Sequence, residues 1–222
     1  MCEATILVTG FEPFGGETVN ASWEAAKKLD GWRFGDAVAV ARQLPCVYDA
    51  CVAEFVEAFE RLRPEIVLMT GQAASRGVIS VERTARRPAG ASAPDNRGVV
   101  RGAVAADGLD RIEATAAANV ASAIRAAGLS ARVSTNAGDF VCNHLFYGAL
   151  RHLQQSAPAT PAVFIHLPAA PEQTPQRANP RRLATPDAVR ALKAAITTMA
   201  EAAHRSRKMT VGLDSSRSAR KI

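Results

Sequence analysis

Apolar positions along the 222-residue chain gather into short continuous runs, separated by segments with apolar residues at helical spacing. "ATILVTG" (4–10) predicts a strand buried on both faces, "FEPFGGETVN" a turn-rich loop, and "ASWEAAKKLDG" a short helix opened by Asn20 as N-cap and closed by Gly31. The alternation repeats with "AVAVARQL" as a strand, an amphipathic helix over 48–64 and "EIVLMTG" as another strand. "VISVER" (78–83) is a further strand, followed by a long irregular excursion over 86–104 that is rich in Gly, Pro and Asp. A helix over 107–129 ended by Gly128, a strand at 131–136, a helix at 140–155 and the strand "AVFIHLP" come next. A Pro-rich loop (169–184) leads to a last helix over 185–207, with Thr185 or Asp187 near its start and Pro186 in its first turn. Near-continuous apolar strands interleaved with helices predict one α/β/α sandwich around a mostly parallel sheet, residues 1–207. Residues 208–222 read as a basic, frayed tail.

Composition narrows the class. With 48% hydrophobic residues and mean hydropathy near zero, the chain can bury a sizeable core. There is no leader pattern at the N-terminus and no run of roughly 20 apolar residues, so a soluble, cytoplasmic protein without membrane partners is expected. The four cysteines, Cys2, Cys46, Cys51 and Cys142, and the four histidines, His144, His152, His166 and His204, show no zinc-site or disulfide spacing. Reduced thiols and no metal are expected. The net charge of +6 lies in the C-terminal part: residues 177–222 hold 11 Lys and Arg against 3 Asp and Glu, or +8, and the rest holds 16 against 18, or −2. No aromatic residues interleave with that charge, so no nucleic-acid partner is expected.

Ligands of such sheets gather at the carboxyl edge of the strands, and the loops at 10–20, 71–77, 135–140 and 167–185 are expected there. Cys142 follows the turn "TNAGD" and should stand in the first turn of a helix, where free N–H groups and the macrodipole favour a thiolate. Two readings of it stand: a small buried hydrophobe, or a nucleophile. A nucleophile needs a base. His144 is two residues away on the same helix and points elsewhere, His152 and His204 read as surface residues, and His166 at the end of the strand "FIHLP" has the better position. Glu82 is a carboxylate inside an apolar strand pattern: it could orient the base or pair with Arg83 or Arg86 on a solvated face, with Glu172 and Asp139 as competitors. "TGFEPFGG" lacks the spacing of a phosphate loop and carries Glu12, while Phe11 and Phe14 could wall an apolar pocket or pack in the core.

Together, "GFEPFGG", "GQA…R…ISVERTA" (71–85), "PDNRG" (94–98), "AGDFVCN" (137–143) and "FIHLPAAPEQ" (164–173) resemble the pyroglutamyl peptidase I, or pyrrolidone-carboxylate peptidase, family. The blocks run in order through nearly the whole chain up to the last helix. The resemblance implies a cysteine peptidase that removes an N-terminal pyroglutamyl residue from peptides, with an α/β/α fold, no cofactor or metal, and a homotetramer. By motif it implies Cys142 as nucleophile, His166 as base and Glu82 as acidic partner. It implies Phe11, Phe14, Gln72, Phe140 and Val141 as the lining of the pyroglutamyl pocket. The chain departs from the family pattern at Ala74 and Ser75, where Gly-Gly is common, at Arg87, where Asn is common, and at Ala169 and Ala170, where a bulky pair is common. The alternatives are another thiol amidohydrolase acting on small lactams or amides, and a catalytically silent pyroglutamyl-binding protein.

Overall fold

The computed structural model describes residues 4–91, 93–103, 105, 109–173 and 182–218, the last 13 of these by backbone alone. Cys2, part of the Pro-rich loop and the end of the tail lie outside the described residues. The chain runs β1 (Ala4–Phe11), α1 (Ala21–Ala26), β2 (Arg33–Phe34), β3 (Ala37–Leu44), α2 (Ala50–Leu62), β4 (Ile66–Gln72), β5 (Ile79–Glu82), β6 (Thr84–Arg86) and β7 (Arg111–Glu113). It continues through α3 (Ala117–Ala126), β8 (Ala131–Ser134), α4 (Val141–Ser156), β9 (Ala162–Leu167) and α5 (Thr185–Ser218), so the last helix extends past residue 207.

Seven strands form one sheet in the order β2-β3-β1-β4-β9-β5-β8, with β6 and β7 as a separate ribbon. The pairs β1–β3, β1–β4, β4–β9 and β5–β8 are parallel, whereas β2–β3 and β5–β9 are antiparallel. Alternation along β1 explains the layers. Leu7 joins the core beneath α2 and α4, with Val67, Met69 and Phe164; Ile6 and Val8 join the opposite core beneath α1, α3 and α5, with Leu68, Val163 and Ile165. The expected α/β/α sandwich is the observed fold.

Three local expectations need correction. The segment 107–129 is not one helix. Residues 111–113 form β7, which pairs with β6, and the helix begins only at Ala117. Ile112 is thereby buried opposite Ala85, and three residues are too few for a strand period to show against an alanine-rich background. The short β2 was not foreseen either. Finally, β5 and β8 run opposite to β9, so the loop 135–140 does not leave the sheet at the same edge as 10–20, 71–77 and 167–185. It reaches that edge by doubling back, because β8 ends level with Phe164.

Candidate active site

β4 and β9 pair in parallel and bring Gly71 opposite His166 near their carboxyl ends. A Cβ on Gly71 would stand 2.8 Å from the sulfur of Cys142 and 2.8 Å from the Phe164 ring. Glycine there lets the thiol close onto the strand beside the histidine. Cys142 is the second residue of α4, as expected from the turn before it. In that first turn the N–H groups of Asn143 and His144 bond to Phe140 O. The N–H of Cys142 acts on its own sulfur.

Antiparallel pairing of β5 with β9 sets Glu82 beside Phe164, from where its carboxylate reaches the imidazole: His166 Nδ1 lies 2.8 Å from Glu82 Oε1. Glu82 is fully buried and His166 is 3% exposed. Glu82 therefore turns inward, and it is Arg83 that faces solvent, 3.4 Å from Glu113. A buried carboxylate needs a cationic partner. Arg76 supplies it, donating from Nη1 to Glu82 Oε1 while Nη2 donates to Asn136 O at 2.7 Å. One guanidinium thus holds both the acid and the turn that leads into the nucleophile's helix. Arg76 is the arginine of the motif "GQA…R…ISVERTA", but the sequence alone assigns it no role; its place in a loop carries no periodic signal, and only the adjacent buried carboxylate calls for it.

Burial dominates the titration of the thiol. It pushes Cys142 up to about 12, with the Glu82 charge adding to the effect and Arg76 and the helix-start N–H opposing it. Desolvation thus works against the thiolate that the helix terminus favours. Burial also lowers the His166 pKa, against the pull of Glu82 and with the help of Arg76. For Glu82, burial alone would raise the pKa, but the hydrogen bond and charge of His166, together with Arg76, bring it below the ordinary value. At neutral pH the site holds a thiol, a neutral imidazole and a carboxylate.

The thiol and the imidazole open onto a cavity of about 380 Å³ lined by Phe14, Glu17, Gln72, Phe140, Cys142 and His166, and by the segments 73–76 and 137–139, with Glu82 buried behind them. Phe14 packs on Phe140 with ring centroids 5.7 Å apart, and Tyr48 meets Phe140 edge-on at 5.7 Å. Gln72 accepts a hydrogen bond from Ala21 N through Oε1 at 2.8 Å. Phe11 and Val141 are buried in the core beneath α2 and α4 and are not among the residues lining this cavity. Of the competing groups, Asp139 lines the cavity and Glu172 is exposed. His144 turns away to Asp49, with Nε2 3.0 Å from Oδ1, and His152 pairs with Glu60 at 2.9 Å. Among the described residues no group of His, Cys, Asp and Glu could hold a metal ion.

The family model for pyroglutamyl peptidase matches residues 4–202. The chain belongs to this family. It is 44% identical over 198 residues to the pyrrolidone-carboxylate peptidase of Cupriavidus taiwanensis, covering 87% of this chain and 92% of that protein. It superposes on the crystal structure of Bacillus amyloliquefaciens pyroglutamyl peptidase I with a TM-score of 0.83 at 40% identity, covering 90% of this chain and 98% of the other. The pyrrolidone carboxyl peptidase of Thermococcus litoralis gives a TM-score of 0.86 at 27% identity, covering 91% and 96%. Family membership makes the chain a cysteine-type omega peptidase, a hydrolase.

Proposed function

We propose that Cys142, His166 and Glu82 carry out the family's reaction, removal of an N-terminal pyroglutamyl residue from a peptide. The observation that carries this assignment is the 2.8 Å contact of Glu82 with His166, which shares a cavity with the Cys142 thiol. With Nδ1–H donated to the carboxylate, Nε2 keeps its lone pair and acts as base. As the sulfur attacks the carbonyl that joins pyroglutamate to the next residue, its proton passes to Nε2, so a thiol that is neutral at rest is ionised only in the encounter. The Cys142 N–H steadies the oxyanion. Collapse breaks the C–N bond, and the imidazolium gives its proton to the leaving amine. A water molecule, deprotonated by His166, then cleaves the thioester, releasing pyroglutamate and regenerating the thiol. Phe14 and Phe140 pack the ring, and the Gln72 amide donates to the lactam carbonyl. Phe11 and Val141 support that wall from the core.

The same reading carries self-association as a homotetramer, no nucleic-acid partner, and a place in the cytoplasm. Support comes from the family resemblance and from Cys46, Cys51 and Cys142, which are all free thiols. Among the described residues no helix is long and apolar enough to cross a membrane.

The test is hydrolysis of a chromogenic pyroglutamyl amide. Cys142→Ala and His166→Ala should each lose at least about a thousandfold in kcat while far-UV circular dichroism stays unchanged. Residual activity above about a tenth of wild type in a folded variant would overturn the assignment.

A further inference from the structure

The β6–β7 ribbon carries a group of charges that the peptidase chemistry leaves unused. Its register sets Arg86 directly opposite Arg111, and like charges facing each other across a two-stranded ribbon are destabilising. Next to them, Arg87 donates Nε to Asp110 Oδ1 at 3.0 Å, so the nearby carboxylate is already engaged. Among the described residues neither Arg86 nor Arg111 has an ion pair. The three arginines and Asp110 line, with Pro88, Ala89 and Ala103, a cavity of about 440 Å³. Among the described lining residues three positive charges against one negative leave +2, although residues 1–176 as a whole carry −2.

We infer that this cavity binds a phosphate group, free or borne on a small monoester, held between Arg86 and Arg111 with Arg87 at its flank. A phosphate carries about −1.5 to −2 at neutral pH and has three acceptor oxygens, which match an excess of two charges and two unengaged guanidinium forks. A single carboxylate carries one charge, half of that excess. The cavity is large enough for the body of a monoester as well as its phosphate. The bound anion would remove the repulsion between the facing arginines and so stiffen the ribbon. That matters to the catalytic centre because Asn143, next to Cys142, clasps the ribbon's main chain: Arg86 N donates to Asn143 Oδ1 at 3.1 Å and Asn143 Nδ2 donates to Arg86 O at 2.9 Å.

The experiment uses the full chain in a phosphate- and sulfate-free buffer, with ionic strength held constant by sodium chloride. Inorganic phosphate, ribose 5-phosphate and acetate are titrated by calorimetry and by thermal midpoint. Saturable binding of at least one phosphate probe is expected, weakened at least about tenfold in the Arg86→Gln/Arg111→Gln variant, with acetate inert. Preference for ribose 5-phosphate would identify a monoester as the ligand, and equal affinity free phosphate. Without anion, Arg111→Gln should melt no lower than wild type, because it removes the facing charge; if the double variant folds poorly, each single variant is read in the same way. Absence of saturable phosphate binding, equal affinity in the variants, or acetate binding as well as phosphate would overturn the inference.

Discussion

Glu82 and His166 stand on neighbouring strands and are set by ladder register, whereas Phe14 and Phe140, which line the cavity that His166 faces, stand on loops held by side-chain bonds. On the strand side, moving either group means breaking the pairing of β5 with β9. On the loop side, Asn20 Nδ2 donates to Glu12 O at 2.9 Å, and Asn96 Nδ2 donates to Glu12 Oε1 at 2.8 Å and to Pro13 O at 2.9 Å. The loop after β9 is tied in similarly, with Gln173 Nε2 3.3 Å from Val19 O. Proton transfer needs fixed distances, and a ring pocket needs walls that can close on a substrate. The two halves of the site are built accordingly.

Outside the catalytic groups themselves, the largest effect should come from breaking the strand side at Arg76, the one contact of Glu82 among the described residues that comes from a loop. Arg76→Gln leaves a buried carboxylate without its cation and frees Asn136, and kcat should fall on the order of a hundredfold, as misplacement of a catalytic group does. The pH profile distinguishes this from a general loss of packing. His166 must be neutral to act as base, so activity falls as pH drops through its pKa, which lies below the ordinary imidazole value. Arg76 helps to hold that pKa down. Without it, the acid limb of kcat/KM should move to higher pH, and Arg76→Lys, which keeps charge but not the fork, should restore the limb more fully than kcat. An unmoved limb in Arg76→Gln would mean that the guanidinium does not act through the catalytic pair.

This difference also marks what could be read from the sequence. Asn20 as N-cap, with Oδ1 accepting from Ser22 N at 2.9 Å, and Cys142 in the first turn of a helix were legible, because caps and turns are written in adjacent residues. His166 at a strand end was legible for the same reason. That Glu82 meets His166 was not, since it depends on β5 running against β9, and a four-residue strand buried throughout carries no sign of its direction. It came instead from the family resemblance. Arg76, the doubling back of 135–140 and the ribbon inside 107–129 escaped because each depends on contacts between distant segments. The residues at 11 and 141 had the apolar character of a pocket wall, but apolar character does not distinguish a wall from the core beneath it.

Gln72 lies at the boundary between the two halves and should give an intermediate effect. Its Oε1 is held by Ala21 N, which leaves the amide N–H₂ as the recognition group for the lactam carbonyl. Wild type should prefer a pyroglutamyl over a prolyl amide by at least about a thousandfold in kcat/KM, because proline lacks the ring carbonyl and leaves the buried Gln72 donor unpaired. Gln72→Glu keeps an oxygen for Ala21 and removes the donor, so that ratio should shrink at least about tenfold, with a lower thermal midpoint because the new carboxylate is buried without a cation. An unchanged ratio would move lactam recognition to another group.

The smallest effect should lie wholly on the loop side. Asn96→Ala removes two donors to the loop that carries Phe14, and touches neither the sheet nor the catalytic groups. Cys46 N still donates to Glu12 Oε1 at 2.9 Å and Asn20 still holds Glu12 O, so the loop loosens without unfolding. Two exposed hydrogen bonds have a modest net worth, and their loss should raise KM about three- to tenfold. Since Glu82, His166 and Cys142 keep their register, kcat should stay within about twofold and the acid limb of the pH profile should not move. Steady-state kinetics on the pyroglutamyl amide decides between the outcomes. A fall in kcat comparable to that in Arg76→Gln would show that the wall and the catalytic pair are one mechanical unit, and the division between strand and loop would have to be abandoned.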